Sequence, residues 1–395
     1  MTVQLSDRVQ QIKPSPTLAV TALAGSLKAQ GRDVIGLGAG EPDFDTPRHI
    51  KDAAITAINE GQTKYTAVDG TAELKQAIVD KFHRDNGIDY KPEQILVSSG
   101  GKQSFYNLAQ ALLNPGDEVV IPAPYWVSYP DMTLLAGGKP VIVSAGAEQR
   151  YKITAAQLEQ ALTPKTRLVV INSPSNPTGI AYSADELAAL GEVLARHPEV
   201  VVATDDMYEH ILWSDEPFSN IVNARPDLYD RAVVLNGVSK AYSMTGWRIG
   251  YCGGPQNLIG AMKNIQSQST SNPTSISQAA AVAALTGDQE CVAEMVTQFR
   301  ERHDFLVEAL NGIKGIEAIP GDGTFYTFAR AQEAQDAYGA KDDVEFCSSL
   351  LDETGVAVVP GSAFGAPGYM RLSFATSMDN LKNAVDRLGG ALGRA

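Results

Sequence analysis

Apolar and polar positions along the chain fall into two alternating patterns. One is the short, nearly continuous apolar run rich in valine and isoleucine: QILVSS (94–99), DEVVIPAP (117–124), KPVIVSA (139–145), TRLVVINSP (166–174), EVVVATDD (199–206) and RAVVLNG (231–237). Such runs read as strands buried on both faces. The other pattern repeats every three to four residues. GGKQSFYNLAQALLNPG (100–116) has that period and ends on a Pro-Gly stop, and SADELAALGEVLARH (183–197) opens with a capping box, Ser183 and Glu186. Buried strands separated by amphipathic helices predict an α/β fold, a mostly parallel sheet with helices on both faces. In such sheets ligands bind beyond the carboxyl ends of the strands.

The last hundred residues change character. A long helical stretch at about 288–312 leads to short strand-like runs GTFYTF (323–328), GVAVVPG (355–361) and YMRLSF (369–374), and a final helix covers about 378–392. This predicts a smaller α+β domain, joined by the N-terminal segment.

Charge narrows the partners. The 395 residues carry a formal net charge of −14, which leaves no basic footprint for nucleic acid and disfavours anionic membranes. Acidity does not exclude a small anionic substrate, since a few placed arginines can dominate a site. The three cysteines, Cys252, Cys291 and Cys347, are scattered and odd in number, which fits a reducing cytoplasm and no metal cluster. The five histidines show no metal-ligand spacing, the N-terminus lacks an apolar signal core, and no apolar run is long enough to span a membrane.

The chemistry collects where strands end. After 94–99 come Gly100, Gly101 and Lys102, where glycines let amides approach an anion at a helix start; a plain helix start is the ordinary alternative. After 117–124 comes Trp126, which can stack on a planar ring or simply pack. After 166–172 comes SPSNPTG (173–179), a rigid turn presenting Asn176. After 199–204 comes DDMYEH (205–210), in which Asp205 can face a ring-nitrogen cation or cap a helix. After 231–237 comes Lys240 within NGVSKAYSMTGWRIGY (236–251), a lone lysine among small and apolar residues, with Arg248 eight positions later. A low-polarity setting lowers a lysine's pKa and frees its amine as a nucleophile. Together these are the parts needed to hold a phosphorylated pyridine aldehyde and bond it to a lysine.

With LGAGEPDFDTP (37–47), TKYTAVDG (63–70), PYWVSYP (124–130) and MRLSFATS (370–377) added, the set resembles the class I pyridoxal-phosphate-dependent aminotransferases of fold type I. Within them it is most similar to the bacterial aspartate aminotransferases. The resemblance implies a large domain, 48–290, with a mostly parallel seven-stranded sheet flanked by helices. It implies a small domain from 12–47 and 291–395. It makes Lys240 the Schiff-base lysine and catalytic base, and Asp205 the carboxylate on the pyridine nitrogen. Tyr208 and Asn176 become the pair on the ring's phenolic oxygen, and Trp126 the stacking aromatic. Gly100, Gly101, Lys102 and Arg248 hold the phosphate of pyridoxal 5'-phosphate. Tyr65 reaches the phosphate of a neighbouring subunit, which implies a homodimer with shared sites. Arg371, helped by the backbone at Gly40, clamps the substrate α-carboxylate. The chemistry implied is ping-pong transfer of the α-amino group from aspartate or glutamate to a 2-oxo acid such as 2-oxoglutarate.

Two departures stand out. Gly237 replaces a phosphate-binding serine three residues before the lysine. STSNPTS (269–275) lacks the second arginine that binds a side-chain carboxylate in the best-known dicarboxylate enzymes. By the same resemblance that role passes to Lys102, Ser15 and Thr17, with Lys13 beside them, and leaves room for a larger acceptor such as prephenate. The alternatives are a broader-specificity aminotransferase, a β-lyase on the same fold, and a ligand-sensing regulator, which would carry an added DNA-binding domain. A nicotinamide dehydrogenase would need a G-x-G-x-x-G after an early strand, and none is present.

Overall fold

The structure, a computed structural model, describes residues 3–12, 14 and 16–394. Lys13 and Ser15 therefore lie outside the described residues. Thirteen strands occur among the described residues: β1 (Ile35–Gly36), β2 (Ile95–Ser98), β3 (Glu118–Ala123), β4 (Lys139–Ser144), β5 (Thr166–Asn172), β6 (Val201–Asp205), β7 (Ala232–Gly237), β8 (Gly250–Gly253), β9 (Glu317–Ala318), β10 (Tyr326–Arg330), β11 (Val356–Ala357), β12 (Val359–Pro360) and β13 (Tyr369–Ser373).

Seven of them form one sheet in the order β2-β8-β7-β6-β5-β3-β4. All pairings are parallel except the two made by β8. The six runs read as strands in the sequence are all present. The seventh, β8, was not read because Gly-Tyr-Cys-Gly is too short and glycine-rich to carry a period. Strands β2, β7 and β8 are buried along their whole length, as continuous apolar runs require. Edge strand β4 is partly exposed and alternates near its end. Each fully buried valine, leucine or isoleucine here contributes on the order of 1.5–3 kcal/mol.

The helices that cross the sheet start where the sequence signals them. Ser183 accepts a hydrogen bond from the Glu186 amide, and the Glu186 side chain answers the Ser183 amide, closing the capping box of helix Ala184–Ala195. A buried polar knot lies under the same sheet. Glu209 accepts from Lys81, from Asn86 at 2.7 Å and from Asn236 at 2.7 Å, which satisfies a carboxylate and an ammonium that are both buried.

A second, antiparallel sheet has the order β12-β13-β10-β9, and helices Glu290–Asn311 and Met378–Leu392 pack against each other beside it. The run 355–361 does not form one strand. It splits at Val358 into β11, which pairs with β1, and β12, which joins the four-stranded sheet. The β1–β11 pair, a two-stranded sheet of its own, ties the N-terminal segment to the C-terminal region. The run 323–328 begins pairing later than its sequence suggests. Thr324 has φ +68°, and Gly323 bridges to Leu212 instead.

Candidate active site

Strands β2, β3, β5, β6 and β7 all end at one edge of the large sheet. Strand β8 runs the other way, so its start lies at that edge, and Arg248 lies two residues before it. A cavity of about 450 Å³ opens there, between this edge and the four-stranded sheet. Lys240, Asp205, Tyr208, Trp126, Asn176, Gly101, Lys102, Arg248, Gly40, Arg371 and Thr17 all line it. Four cations, Lys102, Lys240, Arg248 and Arg371, face two carboxylates, Glu41 and Asp205. The excess of positive charge in an acidic protein marks the cavity as an anion site.

Lys240 follows the end of β7, and its ammonium donates to the carbonyl oxygen of Gly40. Burial, with Arg371 and Arg248 nearby, lowers its pKa to about 8 against the pull of Glu41. An amine in that range is a usable nucleophile and base at neutral pH.

Asp205 closes β6 directly opposite Asn172 on β5. Burial raises its pKa, while the Tyr129 hydroxyl and the Met207 amide, at 3.3 Å, donate to it and favour the anion. Asn172 fixes two strand ends at once. Its Nδ2 donates to the Asp205 carbonyl at 2.9 Å, and its Oδ1 accepts the Asn176 amide at 2.8 Å. The adjacent Asp206 faces away, buried against Thr204 (2.6 Å) and Asn220 (2.8 Å). Burial and the neighbouring Glu209 push its pKa up to about 8.

The anion seat is built from glycine and backbone. Gly100 has φ +92°, and a Cβ there would meet Arg248 Nη2 at 2.2 Å. Only glycine lets this guanidinium lie across the start of helix Gly101–Leu112. Arg248 is held by the carbonyls of Thr245 (2.8 Å) and Ser99 (3.4 Å). The amides of Gly101 and Lys102 find no acceptor among the described residues, so they remain available to a ligand. Gly237 is not an open phosphate position. A Cβ there would sit 3.0 Å from the Ile249 carbonyl and 3.1 Å from Gly250 Cα. Ser239, which was not singled out in the sequence, lines the cavity beside Lys240. A hydroxyl next to the lysine was the signal for it.

Opposite, β13 places Arg371 deep in the wall, 2% exposed. Its Nη1 donates to Asn176 Oδ1 at 3.0 Å and its Nη2 to the Gly38 carbonyl at 2.8 Å, while Nε is buried without a partner. The Gly38 carbonyl thus steadies Arg371, while Gly40 lines the cavity and its carbonyl receives Lys240. The Arg371 guanidinium lies 4.4 Å from the ring centre of Tyr326, whose hydroxyl is 3.1 Å from that of Tyr208. Tyr326 was not singled out in the sequence. Trp126 stands edge-on to Tyr129 at 5.1 Å, with the Lys102 ammonium 5.3 Å from its ring. Burial lowers the Lys102 pKa, and Arg248 adds to the effect.

Helix Pro16–Ala29 contributes Thr17 and Thr21 to the cavity, and the Thr17 hydroxyl is buried without a partner. Tyr65 stands apart. It is 92% exposed and lines a separate surface hollow with Gln62, Thr66 and Ser275.

The sequence matches the family described as aminotransferase class I and II over residues 32–388. It is 62% identical over 396 residues to the aspartate/prephenate aminotransferase of Nitrosomonas europaea, covering 99% of this chain and 100% of that protein. It is 51% identical over 386 residues to the aspartate aminotransferase of Geobacillus stearothermophilus, covering 98% of each. The fold matches the crystal structure of the aspartate aminotransferase from Rhizobium meliloti with a TM-score of 0.95 at 48% identity, over the full length of both chains. It matches the Thermus thermophilus aspartate aminotransferase solved with maleate at a TM-score of 0.92 and 42% identity, covering 99% of this chain and 100% of that one.

Proposed function

The chain belongs to the class I and II aminotransferases, and we propose that it moves the α-amino group of aspartate or glutamate to a 2-oxo acid such as 2-oxoglutarate, with pyridoxal 5'-phosphate held in the cavity. One observation carries this reading. Lys240, Arg371, Asp205 and the Gly101–Arg248 anion seat line a single cavity, so an amine, a carboxylate clamp, a buried acid and a phosphate seat act on the same small molecule.

The residues fit the cofactor. The free amides of Gly101 and Lys102, the Ser239 hydroxyl and Arg248 offer phosphate its donors. Trp126 offers an aromatic face, and Asp205 offers a carboxylate to a pyridine nitrogen. Asn176 and Tyr208 supply polar groups on the opposite side of the cavity. Bound there, pyridoxal phosphate supplies an electron sink for bond cleavage at the substrate's Cα.

The chain's own groups do the rest. Arg371 orients the α-carboxylate through its unpartnered Nε and by exchanging its bond to Asn176. Lys240 is the amine that would hold the cofactor, and its free amine, with the pKa lowered to about 8, would move the proton at the substrate's Cα. The Gly40 carbonyl receives the free ammonium between those tasks. The same site serves the second half-reaction in reverse, which gives ping-pong kinetics.

We assign the distal end of the substrate pocket to Thr17 and Lys102, which line the cavity; Ser15 and Lys13, given the same role by resemblance, lie outside the described residues. Maleate, the ligand of the Thermus structure, is a four-carbon dicarboxylate, which supports a second carboxylate subsite. A second acceptor is favoured by the Nitrosomonas relative, whose name includes prephenate, and we extend that activity to this chain. Tyr65, 92% exposed in one chain, serves the phosphate of a partner subunit in a homodimer. The domain boundary falls at 47/48 and 290/291, supported by one apolar cluster drawn mainly from 50–285 and another drawn mainly from 35–37 and 295–388, which also takes in Tyr208 and Ile211, and by the β1–β11 pair. Three free cysteines support a cytoplasmic setting. No described helix is long and apolar enough to cross a membrane.

The test is a half-reaction panel. The holoenzyme is mixed with single amino acids and the loss of cofactor absorbance is followed. Aspartate and glutamate should react fastest, and 2-oxoglutarate or prephenate should restore the spectrum. Failure with both dicarboxylic amino acids overturns the reading.

A further inference from the structure

Tyr129 is 1% exposed, and its hydroxyl makes one hydrogen bond within the chain, a donation to Oδ2 of Asp205. The ring is wedged between Phe105, with centroids 4.9 Å apart, and the edge of Trp126 at 5.1 Å. Its amide also donates to the Trp126 carbonyl at 3.1 Å, so one turn carries both residues. The phenol stays protonated, because burial and the adjacent carboxylate both push its pKa well up. Its hydroxyl donates to the Asp205 carboxylate, a bond that a protonated Asp205 could not accept in the same way. The other oxygen, Oδ1, takes only the longer bond from the Met207 amide at 3.3 Å and keeps a lone pair free.

Burial works against an ionised Asp205. Around it lie two further titratable groups, Lys240 and Tyr208. A cofactor joined to Lys240 would remove its free ammonium. The hydrogen bond from Tyr129 remains.

Resting on the cofactor reading above, we propose that Tyr129 is a positioning residue: its hydroxyl holds Asp205 as a carboxylate and leaves Oδ1 as the oxygen offered to the nitrogen of the bound pyridine ring. An acid that keeps its own proton cannot hold one on the ring nitrogen. Tyr129 decides on which side of that contact the proton resides, without touching substrate or cofactor itself.

The experiment uses holoenzyme loaded with pyridoxal phosphate labelled with ¹⁵N in the ring, and follows the ¹⁵N shift against pH in wild type and Tyr129→Phe. Phenylalanine keeps the wedge between Phe105 and Trp126 and removes only the donor. In wild type the ring nitrogen should be protonated across neutral pH. In the variant its titration should move to lower pH by about one to two units, and kcat should fall about tenfold to hundredfold with KM little changed. An unchanged ¹⁵N titration overturns the proposal even if activity falls. A second measurement guards against a packing effect. Cofactor affinity is compared for Tyr129→Phe alone and in an Asp205→Ala background. The loss should vanish without Asp205; the same loss in both backgrounds means that Tyr129 only packs, and the proposal fails. A wild-type protein that takes up no pyridoxal phosphate would overturn the functional reading itself. A protonated ring in both wild type and variant would overturn only the role of Tyr129.

Discussion

The Lys240 ammonium donates to the Gly40 carbonyl, two hundred positions earlier in the chain, and so joins the end of β7 to the N-terminal segment whose strand β1 pairs with β11. The contact gives the amine a fixed resting place beside the cavity. With its pKa lowered to about 8 by burial, the lysine is neutral above that pH. The rate at which apoprotein takes up pyridoxal phosphate covalently should therefore rise as pH approaches about 8 and level off above it. Stopped-flow absorbance checks this, and a rate still climbing at pH 10 would mean an ordinary lysine. Borohydride reduction and peptide mapping should find the label on Lys240, and Lys240→Ala should lose turnover almost completely while still binding cofactor.

Asp205 and Asp206 are neighbours in sequence with opposite surroundings. Asp205 lines the cavity, whereas Asp206 bonds Thr204 and Asn220 behind the strand. Asp205→Ala should slow the half-reaction by about 10²–10³-fold, the scale of removing a key electrostatic group from an active site. Asp206→Asn keeps a side chain able to bond both neighbours and should retain most activity. Single-turnover rates with aspartate distinguish them, and a reversed ranking would move the catalytic acid to position 206.

The parts of this site that the sequence exposed most clearly are those that sit at strand ends. Continuous apolar runs announce buried strands, and the residue that follows each run must lie at the sheet's edge, which located Lys240, Asp205, Asn176 and Gly100 together. Side chains that meet only through tertiary packing carry no such signal. Tyr326 reaches Arg371 and Tyr208 because β10 pairs with β13 in a particular register, Phe328 opposite Arg371, and nothing near 326 in the chain says so. Tyr129 lies within PYWVSYP but gains meaning only from its contact with Asp205. Strand β8 is too short for periodicity, and its antiparallel course became visible only from its partners β2 and β7.

Tyr65 is 92% exposed and lines a surface hollow separate from the cavity of Lys240. If it completes a partner's site, mixing Tyr65→Ala with Lys240→Ala subunits should recover activity. Each hybrid dimer has one site carrying both lesions and one intact site, so about half the wild-type activity per hybrid dimer should return. Hybrids separated by a charge tag and assayed alone check this; inactive hybrids would place Tyr65 outside the shared site.

The buried Glu209 gives the fold an acid limit. Burial alone would raise its pKa, but Lys81, His210 and Asn86 together hold it at about 2 against an ordinary 4.5. A depressed carboxylate contributes stability that is complete above its unfolded pKa and is lost as pH falls toward its folded one. The loss from this group should therefore span roughly pH 4.5 down to about 2. Glu209→Gln leaves the buried Lys81 ammonium only Asp85, 3.8 Å away, as counter-charge and should cost about 3 kcal/mol at neutral pH. Urea unfolding of the apoprotein measures both. A variant as stable as wild type at pH 7 would show that the pair is energetically idle.

The distal end of the substrate pocket sets specificity, and it has two candidates within the described residues. Thr17 brings a buried hydroxyl without a partner, and Lys102 brings an ammonium 5.3 Å from the Trp126 ring. A side-chain carboxylate closed into this cavity needs such partners, because an unpaired buried anion is costly. Arg248 already covers the Gly100 side of the anion seat, which leaves the Lys102 charge available to a second anion. Burial also lowers the pKa of Lys102, so an incoming carboxylate regains part of the lost solvation. Lys102→Ala should weaken the half-reaction with aspartate and glutamate by about 2–5 kcal/mol, roughly 30-fold or more, and should affect alanine or phenylalanine far less. Thr17→Val should act in the same direction by about tenfold, as expected for one hydrogen bond to a charge. A flexible lysine and a hydroxyl discriminate less sharply than a bidentate arginine, so prephenate should remain an acceptor in the wild type. Half-reaction rates for the four amino acids in each variant decide the matter. Equal losses across all four would make Lys102 a phosphate ligand alone and move the carboxylate subsite elsewhere in the cavity.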